Sequence, residues 1–207
     1  MGVGHEPLAA TQSPHPDVAT VLVTQEQLRA AVAELAAQLR ADYADRDPVL
    51  VGVLTGSIVF LADLLRALAL PCHVDCVAVS SYGGGTRPTV LRVDKDLQRP
   101  VEGRHVLIVE DIVDTGQTLA CLLELMRQRG AASVEACCLL DKPSRRTVQI
   151  EPRYVGFRIP DEFVVGYGLD YCQQYRYLPY VGALKRSVYA PCDTESADAT
   201  PGAGAER

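Results

Sequence analysis

An α/β fold, with a core of parallel strands covered by helices on both faces, is predicted by three observations. Short, continuous apolar runs recur along the chain, at residues 49–54 (VLVGVL), 105–109 (HVLIV) and 134–140 (VEACCLL). Such runs read as strands buried on both faces, the mark of parallel sheets. They alternate with segments of helical apolar spacing, as in Leu28, Val32, Leu35 and Leu39, which is the pattern of alternating strands and helices. Acids and glycines gather just after the strands, where open α/β sheets bind their ligands.

The elements follow in order. Thr24-Gln25-Glu26-Gln27 is a capping box that opens a helix running to about Tyr43. Residues 49–54 form a strand, and Gly56-Ser57 turns the chain into a second helix through Phe60, Leu61, Leu64 and Leu65. Residues 74–79 are strand-like, 80–87 (SSYGGGTR) form a loop, and 88–93 make a short extended excursion. Residues 105–109 are the clearest buried strand. Residues 116–129 form a helix that Gly130 ends. Residues 134–140 and 163–167 supply two more strands. The chemistry is therefore expected just after Leu54, Val79, Val109, Leu140 and Tyr167.

Composition narrows the function classes. The chain has 207 residues, 48% hydrophobic and 22% charged, the balance of one ordinary globular domain. Residues 1–20 read as a disordered leader, 21–189 as the domain, and 190–207, which have no large apolar residue, as a disordered tail. The net charge of −6 speaks against a nucleic-acid partner. No apolar run is long enough to span a bilayer, so no membrane is expected. Residues 1–20 lack the basic start and apolar stretch of a signal peptide. The seven cysteines are irregularly placed without a CxxC, which predicts reduced, mostly buried thiols and a cytoplasmic setting. The four histidines are scattered, and no Cys/His set has metal-ligand spacing.

The most informative stretch is Val106-Leu107-Ile108-Val109-Glu110-Asp111-Ile112-Val113-Asp114-Thr115-Gly116-Gln117-Thr118. A buried strand runs into two adjacent carboxylates, then a third, then Thr-Gly-Gln-Thr at a helix start. Backbone N–H groups and hydroxyls there suit an anion such as a phosphate monoester, and Gly116 lets the backbone come close to it. Carboxylates beside a phosphate would repel it unless they serve other groups. Glu110 and Asp111 suit ribose hydroxyls or hydrated Mg²⁺, which leaves Asp114 to act as a base. An ordinary capped turn explains a lone Asp-Thr-Gly but poorly explains the whole run. Walker-type phosphate binding is excluded, because no GxxxxGK[ST] occurs.

Glu110 to Thr118 resembles the diphosphate-sugar signature of the type I phosphoribosyltransferases. Four further segments match in order and spacing: Leu54-Thr55-Gly56-Ser57, Ser80-Ser81-Tyr82-Gly83, Leu139-Leu140-Asp141-Lys142-Pro143-Ser144-Arg145-Arg146, and Phe163-Val164-Val165-Gly166-Tyr167-Gly168-Leu169-Asp170-Tyr171. Together they resemble the hypoxanthine/guanine (6-oxopurine) branch, over about residues 22–186. The resemblance implies the type I phosphoribosyltransferase fold: a core parallel sheet, flanking helices and a small hood. The hood is expected mainly at 145–186, with the first helix as a candidate contributor. It also implies Mg²⁺-dependent purine salvage, in which hypoxanthine or guanine displaces pyrophosphate from 5-phosphoribosyl-1-pyrophosphate (PRPP) to give IMP or GMP. A homodimer or homotetramer is implied as well.

The resemblance carries roles residue by residue. Thr115, Gly116, Gln117 and Thr118 correspond to the 5′-phosphate loop, Glu110 and Asp111 to the ribose acids, and Asp114 to the general base for the purine N7 proton. Gln117 stands where many members have Lys. Thr55 and Gly56 correspond to the pyrophosphate loop, which can carry a non-proline cis peptide before its second residue; Thr55 replaces a common Lys. Ser81 and Tyr82 correspond to a mobile loop over the site, although a plain glycine-rich hairpin tip explains them equally well. Lys142 would donate to the purine O6, where an isolated Lys would be read as solvated surface. Phe163 would stack on the purine, with simple core packing as the plainer alternative, and Val164 would present its backbone to the purine edge. Asp170, with Glu110 and Asp111, would serve Mg²⁺, and Arg176 would bind pyrophosphate. Arg145 and Arg146 fall to a subunit interface. Two competitors stand beside this reading: a phosphoribosyltransferase preferring xanthine or another base, and an RNA-binding regulator on the same fold. Lys142, a pure donor, argues against adenine, and the acidic charge argues against RNA.

Overall fold

A computed structural model of the chain describes residues 14–82 and 90–190. Their elements are β1 (Val18–Val23), α1 (Gln25–Tyr43), β2 (Val49–Leu54), α2 (Ile58–Leu68), β3 (His73–Tyr82), β4 (Val90–Lys95), β5 (His105–Val113), α3 (Gln117–Gln128), β6 (Ser133–Asp141), a 3₁₀ turn (Pro143–Arg145), β7 (Tyr154–Arg158), β8 (Val164–Val165), β9 (Val181–Leu184) and α4 (Arg186–Tyr189). The main sheet has the order β4-β3-β2-β5-β6-β7. Strands β3, β2, β5, β6 and β7 run parallel, and only the edge strand β4 is antiparallel.

Burial on both faces explains the unbroken apolar runs. Along β2, Leu50 enters a core shared with α1 and α2, whereas Val49, Val51 and Val53 enter a second core under α3. Along β5, Leu107 and Val109 face the first core, and Val106 and Ile108 the second. The expected capping box at α1 is formed: Gln27 N donates to Thr24 Oγ1 at 3.3 Å, and Thr24 N donates to Gln27 Oε1 at 2.8 Å. Gly130, with φ of +77°, ends the α3 region as expected.

Several expectations are corrected. Helix α1 packs on α2 and β7, and its Leu28, Leu35 and Leu39 share one core with Leu50 and Leu107 of the main sheet and with Val164 and Val181. The hood is an antiparallel sheet of order β1-β9-β8, closed over Val18, Val165, Leu178, Tyr180 and Leu184. The domain boundary expected after residue 20 therefore falls inside β1. The strand expected at 163–167 shortens to Val164–Val165 and leaves the parallel sheet, because Gly166, Tyr167 and Gly168 all take positive φ. The last parallel strand is β7, which no apolar run marks; YVGFR is short, lies at an edge and holds a glycine. Strand β3 extends through Ser80, Ser81 and Tyr82, so these three are not part of the expected loop. Residues 83–89, like 1–13 and 191–207, lie outside the described residues. Among the described cysteines only Cys137 and Cys138 are buried, and Cys121 and Cys172 are exposed; apolar sequence context on α3 and in the hood does not report burial one residue at a time.

The hood is fastened to the main sheet through glycines. A Cβ at Gly168, where φ is +100°, would collide with the Gly56 carbonyl. Gly168→Ala therefore combines positive-φ strain with a backbone clash, and it should lower unfolding free energy by about 2–4 kcal/mol. Urea denaturation measures this directly. A variant within about 0.5 kcal/mol of the parent, the range of innocuous surface changes, would show that the two loops do not pack as described.

Candidate active site

Strand β2 delivers its carboxyl end at the centre of the sheet. The Leu54–Thr55 peptide is cis, as the resemblance implied. Ser57 is buried, and its hydroxyl donates to the Val53 carbonyl at 2.6 Å, which ties the loop back onto β2. A Cβ at Gly56 would collide with the Asp111 carboxylate. Only glycine lets this loop lie against the acid.

Next to β2, strand β5 carries Glu110 and Asp111 to the same level. Glu110 is buried. Its carboxyl is pushed well above the usual carboxylate range, first by burial and then by the Asp111 charge. Asp111 is pushed up to about 6 by burial, while backbone N–H groups of Asp111 and Ile112 and the charge of Arg176 pull the other way, and Asp170 adds to the rise. Arg176 Nη2 pairs with Asp170 Oδ1 at 2.7 Å, and its Nη1 donates to the Gly168 carbonyl at 2.7 Å. The hood thus brings one cation and one further acid to the β5 acids.

After β5 the chain passes through Asp114, Thr115 and Gly116 into α3. Gly116 has φ of +82° and directly precedes the helix. A Cβ there would meet Ile150 Cγ2 at 2.7 Å and Arg146 Cδ at 2.9 Å. Gln117 N lies 3.4 Å from Thr115 Oγ1, which it reaches as donor, and Gln117 Nε2 donates to Thr147 Oγ1 at 3.2 Å. A recess of about 90 Å³ is lined by Glu110, Asp114, Thr115, Gly116 and Thr118. Thr115, Gly116 and Thr118, three of the four residues expected to hold a phosphate, thus line a concavity at the start of α3.

A second cleft, of about 430 Å³, is lined by Ile112, Asp114, Lys142, Phe163 and Val164 among others. Ile112 and Asp114 also line the small recess, so the two spaces meet at these residues. Lys142 closes β6 and is buried; its Nζ donates to the Glu162 carbonyl at 2.6 Å. Burial pulls its pKa below the ordinary value, with Asp114 and Asp161 opposing. Phe163 is 38% exposed, so it is not simple core.

Arg145 and Arg146 do not stand apart from this site. Arg145 Nε donates to Asp114 Oδ1 at 2.8 Å, and its Nη1 lies 3.5 Å from Asp161 Oδ1. Arg146 Nη1 donates to the carbonyls of Val113 at 2.9 Å and Asp114 at 2.5 Å, and Nη2 pairs with the buried Asp141. These arginines clamp the acidic loop from the end of β6. Two basic residues following a strand end beside an acidic loop were the available signal. Ser81 and Tyr82 end β3, and their backbones pair with Leu91 and Val90; the loop that would close over the site falls outside the described residues. Among the described residues, no three His, Cys, Asp or Glu side chains converge as a metal cage. Glu110, Asp111 and Asp170 are thus not a closed ligand set. They still suit Mg²⁺, which takes one or two carboxylates and completes its shell with water and substrate oxygens.

The raised Asp111 carboxyl has a measurable consequence. Its folded state holds the proton more tightly than the unfolded chain, so ionisation disfavours folding. This penalty grows as pH rises from the ordinary value of 3.8 through about 6. Asp111→Asn keeps an acceptor for the two backbone N–H groups and removes the charge. The variant should be more stable than the parent at pH 8, on the order of 1 kcal/mol after screening. The gain should shrink as pH falls through 6. Thermal unfolding at several pH values checks it, and a gain that grows toward low pH would reverse the assigned sign.

The phosphoribosyl transferase domain family matches residues 20–172. The chain is 50% identical over 175 residues to a hypoxanthine-guanine phosphoribosyltransferase of Streptococcus pneumoniae, covering 84% of this chain and 97% of that one. It is 47% identical over 174 residues to the enzyme of the same name from Bacillus subtilis, covering 84% and 97%. A solved Staphylococcus aureus hypoxanthine phosphoribosyltransferase superposes with a TM-score of 0.82 at 48% identity, covering 84% and 96%. By these matches the chain belongs to the phosphoribosyl transferase family.

Proposed function

We infer that the chain is a 6-oxopurine salvage enzyme, transferring the phosphoribosyl group of PRPP to hypoxanthine or guanine with release of pyrophosphate. The observation that carries this is the meeting of the two recesses at Ile112 and Asp114. One recess offers helix-start N–H groups and hydroxyls for a ribose phosphate; the other offers a buried Lys and an accessible Phe for a flat, carbonyl-bearing base. The names of the relatives support the same substrates.

In this reading Thr115, Gly116, Gln117 and Thr118 hold the 5′-phosphate, and Glu110 and Asp111 accept from the ribose hydroxyls. Thr55, Gly56 and Arg176 face the pyrophosphate. Lys142 spends one of its three donors on Glu162 and offers the others to O6. Phe163 supplies a stacking face, and the Val164 backbone meets the purine edge. As the C1–pyrophosphate bond breaks, positive charge develops on the ribose, and the purine nitrogen closes the new bond. Asp114 takes the N7 proton, which bond formation has by then acidified. Ser81 and Tyr82 would flank the closing loop. Mg²⁺, held through Asp170 and the β5 acids with bound water, would neutralise charge on the leaving pyrophosphate.

Homodimers or homotetramers in the cytoplasm belong to the same reading. Ile58 and Leu65 lie on one face of α2 and stay 50% and 37% exposed, which supports self-association. No described helix is long and apolar enough to cross a membrane. The net charge of −6 disfavours the RNA-binding alternative.

The test is turnover of PRPP with hypoxanthine, guanine, xanthine and adenine, in parent and Asp114→Asn. The parent should use the first two, with xanthine left to the assay and adenine rejected. The variant should lose about 10²–10⁴-fold in single-turnover rate while PRPP affinity stays within about two-fold, since no phosphate donor is removed. Parent activity with adenine equal to that with hypoxanthine, or an unchanged variant rate, would contradict the assignment.

A further inference from the structure

Phe163 is held by two other rings. Tyr189 stacks on it, with centroids 5.0 Å apart and planes 21° apart. Tyr171 meets it edge-on, at 5.4 Å and 88°. With one face and one edge covered in this way, Phe163 still keeps 38% of its surface exposed, and Tyr189 lines the same cleft as Phe163, Lys142 and Asp114. Tyr189 lies beyond residue 172, where the family match stops, and no role follows for it from the phosphate or ribose chemistry.

The backbone fixes this ring in place. Leu184 N donates to the Phe163 carbonyl at 2.8 Å, so β9 registers directly against the residue that carries the ring. Lys185 N donates to the Asp17 carbonyl at 2.8 Å, and Val188 N to the Lys185 carbonyl at 2.9 Å, which turn the chain into α4. Val188 and Tyr189 pack on the hood cluster around Val165 and Leu184. A ring free to tilt is a poor platform, because ordering it must accompany ligand stacking. A ring already held on one face and one edge offers its other face in a set plane.

We propose that Tyr189 is a positioning residue of the purine site: it backs Phe163, fixes the plane of the stacking face, and so sets the affinity for the flat base. This rests on the 6-oxopurine reading above. It predicts a selective effect, on the purine and not on PRPP, because among the described residues no hydrogen bond or ion pair joins α4 to the residues assigned to the phosphate or ribose.

Two measurements test it. The chain has only three Phe residues, so the ring signals of ¹³C-labelled Phe resolve Phe163 in the ligand-free protein. Tyr189→Leu, which keeps bulk without a ring current, should shift the Phe163 signals while Tyr189→Phe should leave them near the parent's. Steady-state kinetics then read the consequence. Tyr189→Leu should raise KM for hypoxanthine about 3–10-fold, the range of one aromatic pair, with KM for PRPP and kcat within about two-fold. Tyr189→Phe should restore the parent value, because the ring and not the hydroxyl acts. Unshifted Phe163 signals would overturn the stack itself. Shifted signals with unchanged hypoxanthine KM, or an equal rise in both KM values, would overturn the positioning role. A fall in hypoxanthine KM would also overturn it, by showing that the ring occupies the purine's own place. A parent inactive with hypoxanthine would instead sink the 6-oxopurine reading, and the ring signals would still report on the stack.

Discussion

Seating two adjacent carboxylates, one buried and one half-buried, at the end of a central strand is the constraint around which this molecule is built. A charge taken out of water must be paired or must hold its proton, and among the described residues no Lys or Arg forms an ion pair with Glu110 or Asp111. Their surroundings answer with backbone. Asp111 draws on the N–H groups of its own strand end, Gly56 lies against its carboxylate, and Arg176 reaches in from the hood as the compensating cation. Each of these partners dictates something larger. Gly56 forces a loop without a side chain after β2, Gly168 lets the hood backbone close on that loop, and Arg176 ties the two halves electrostatically.

The raised carboxyls give this arrangement its functional sense. Left alone, the acids destabilise the folded chain once they ionise. A ligand that donates hydroxyls, or brings a cation with it, relieves the same cost and gains binding free energy from it. On the proposed reading, that ligand is a sugar that arrives with its charge partners. The arginine clamp follows the same logic on the other side of the loop: Arg146 fixes the carbonyls of Val113 and Asp114, so Asp114 and the turn after it are set by one buried ion pair with Asp141.

Much of this is legible in the sequence, and the illegible part has physical causes. The strands at 49–54 and 105–109 were readable because burial on both faces leaves no polar interruption, and the acids and glycine after β5 are too specific a run for an ordinary turn. The hood was not readable in detail. Its strands are two to six residues long, and β8 ends where three successive residues adopt positive φ, which apolar patterning in FVVGYG does not reveal. Strand β7 escaped because an edge position tolerates polar flanks. Arg145 and Arg146 looked like interface residues because charge alone does not tell which carbonyl a guanidinium will find. The pairing of Tyr189 with Phe163 joins residues 26 positions apart through the hood sheet, and no local pattern encodes it.

In the proposed reading, the β5 acids are what accept hydrogen bonds from the ribose hydroxyls. The most direct measurement is a thermodynamic cycle: calorimetric affinities of IMP and its 2′,3′-dideoxy analogue for the parent and for the Glu110→Gln/Asp111→Asn protein. Hydrogen bonds to charged acceptors are worth about 1.5–3 kcal/mol, so the parent should prefer IMP by about ten-fold or more. In the double variant that preference should fall several-fold, while the analogue binds both proteins nearly alike. An IMP preference of the same size in both proteins would contradict the account, because the ribose hydroxyls would then be read elsewhere.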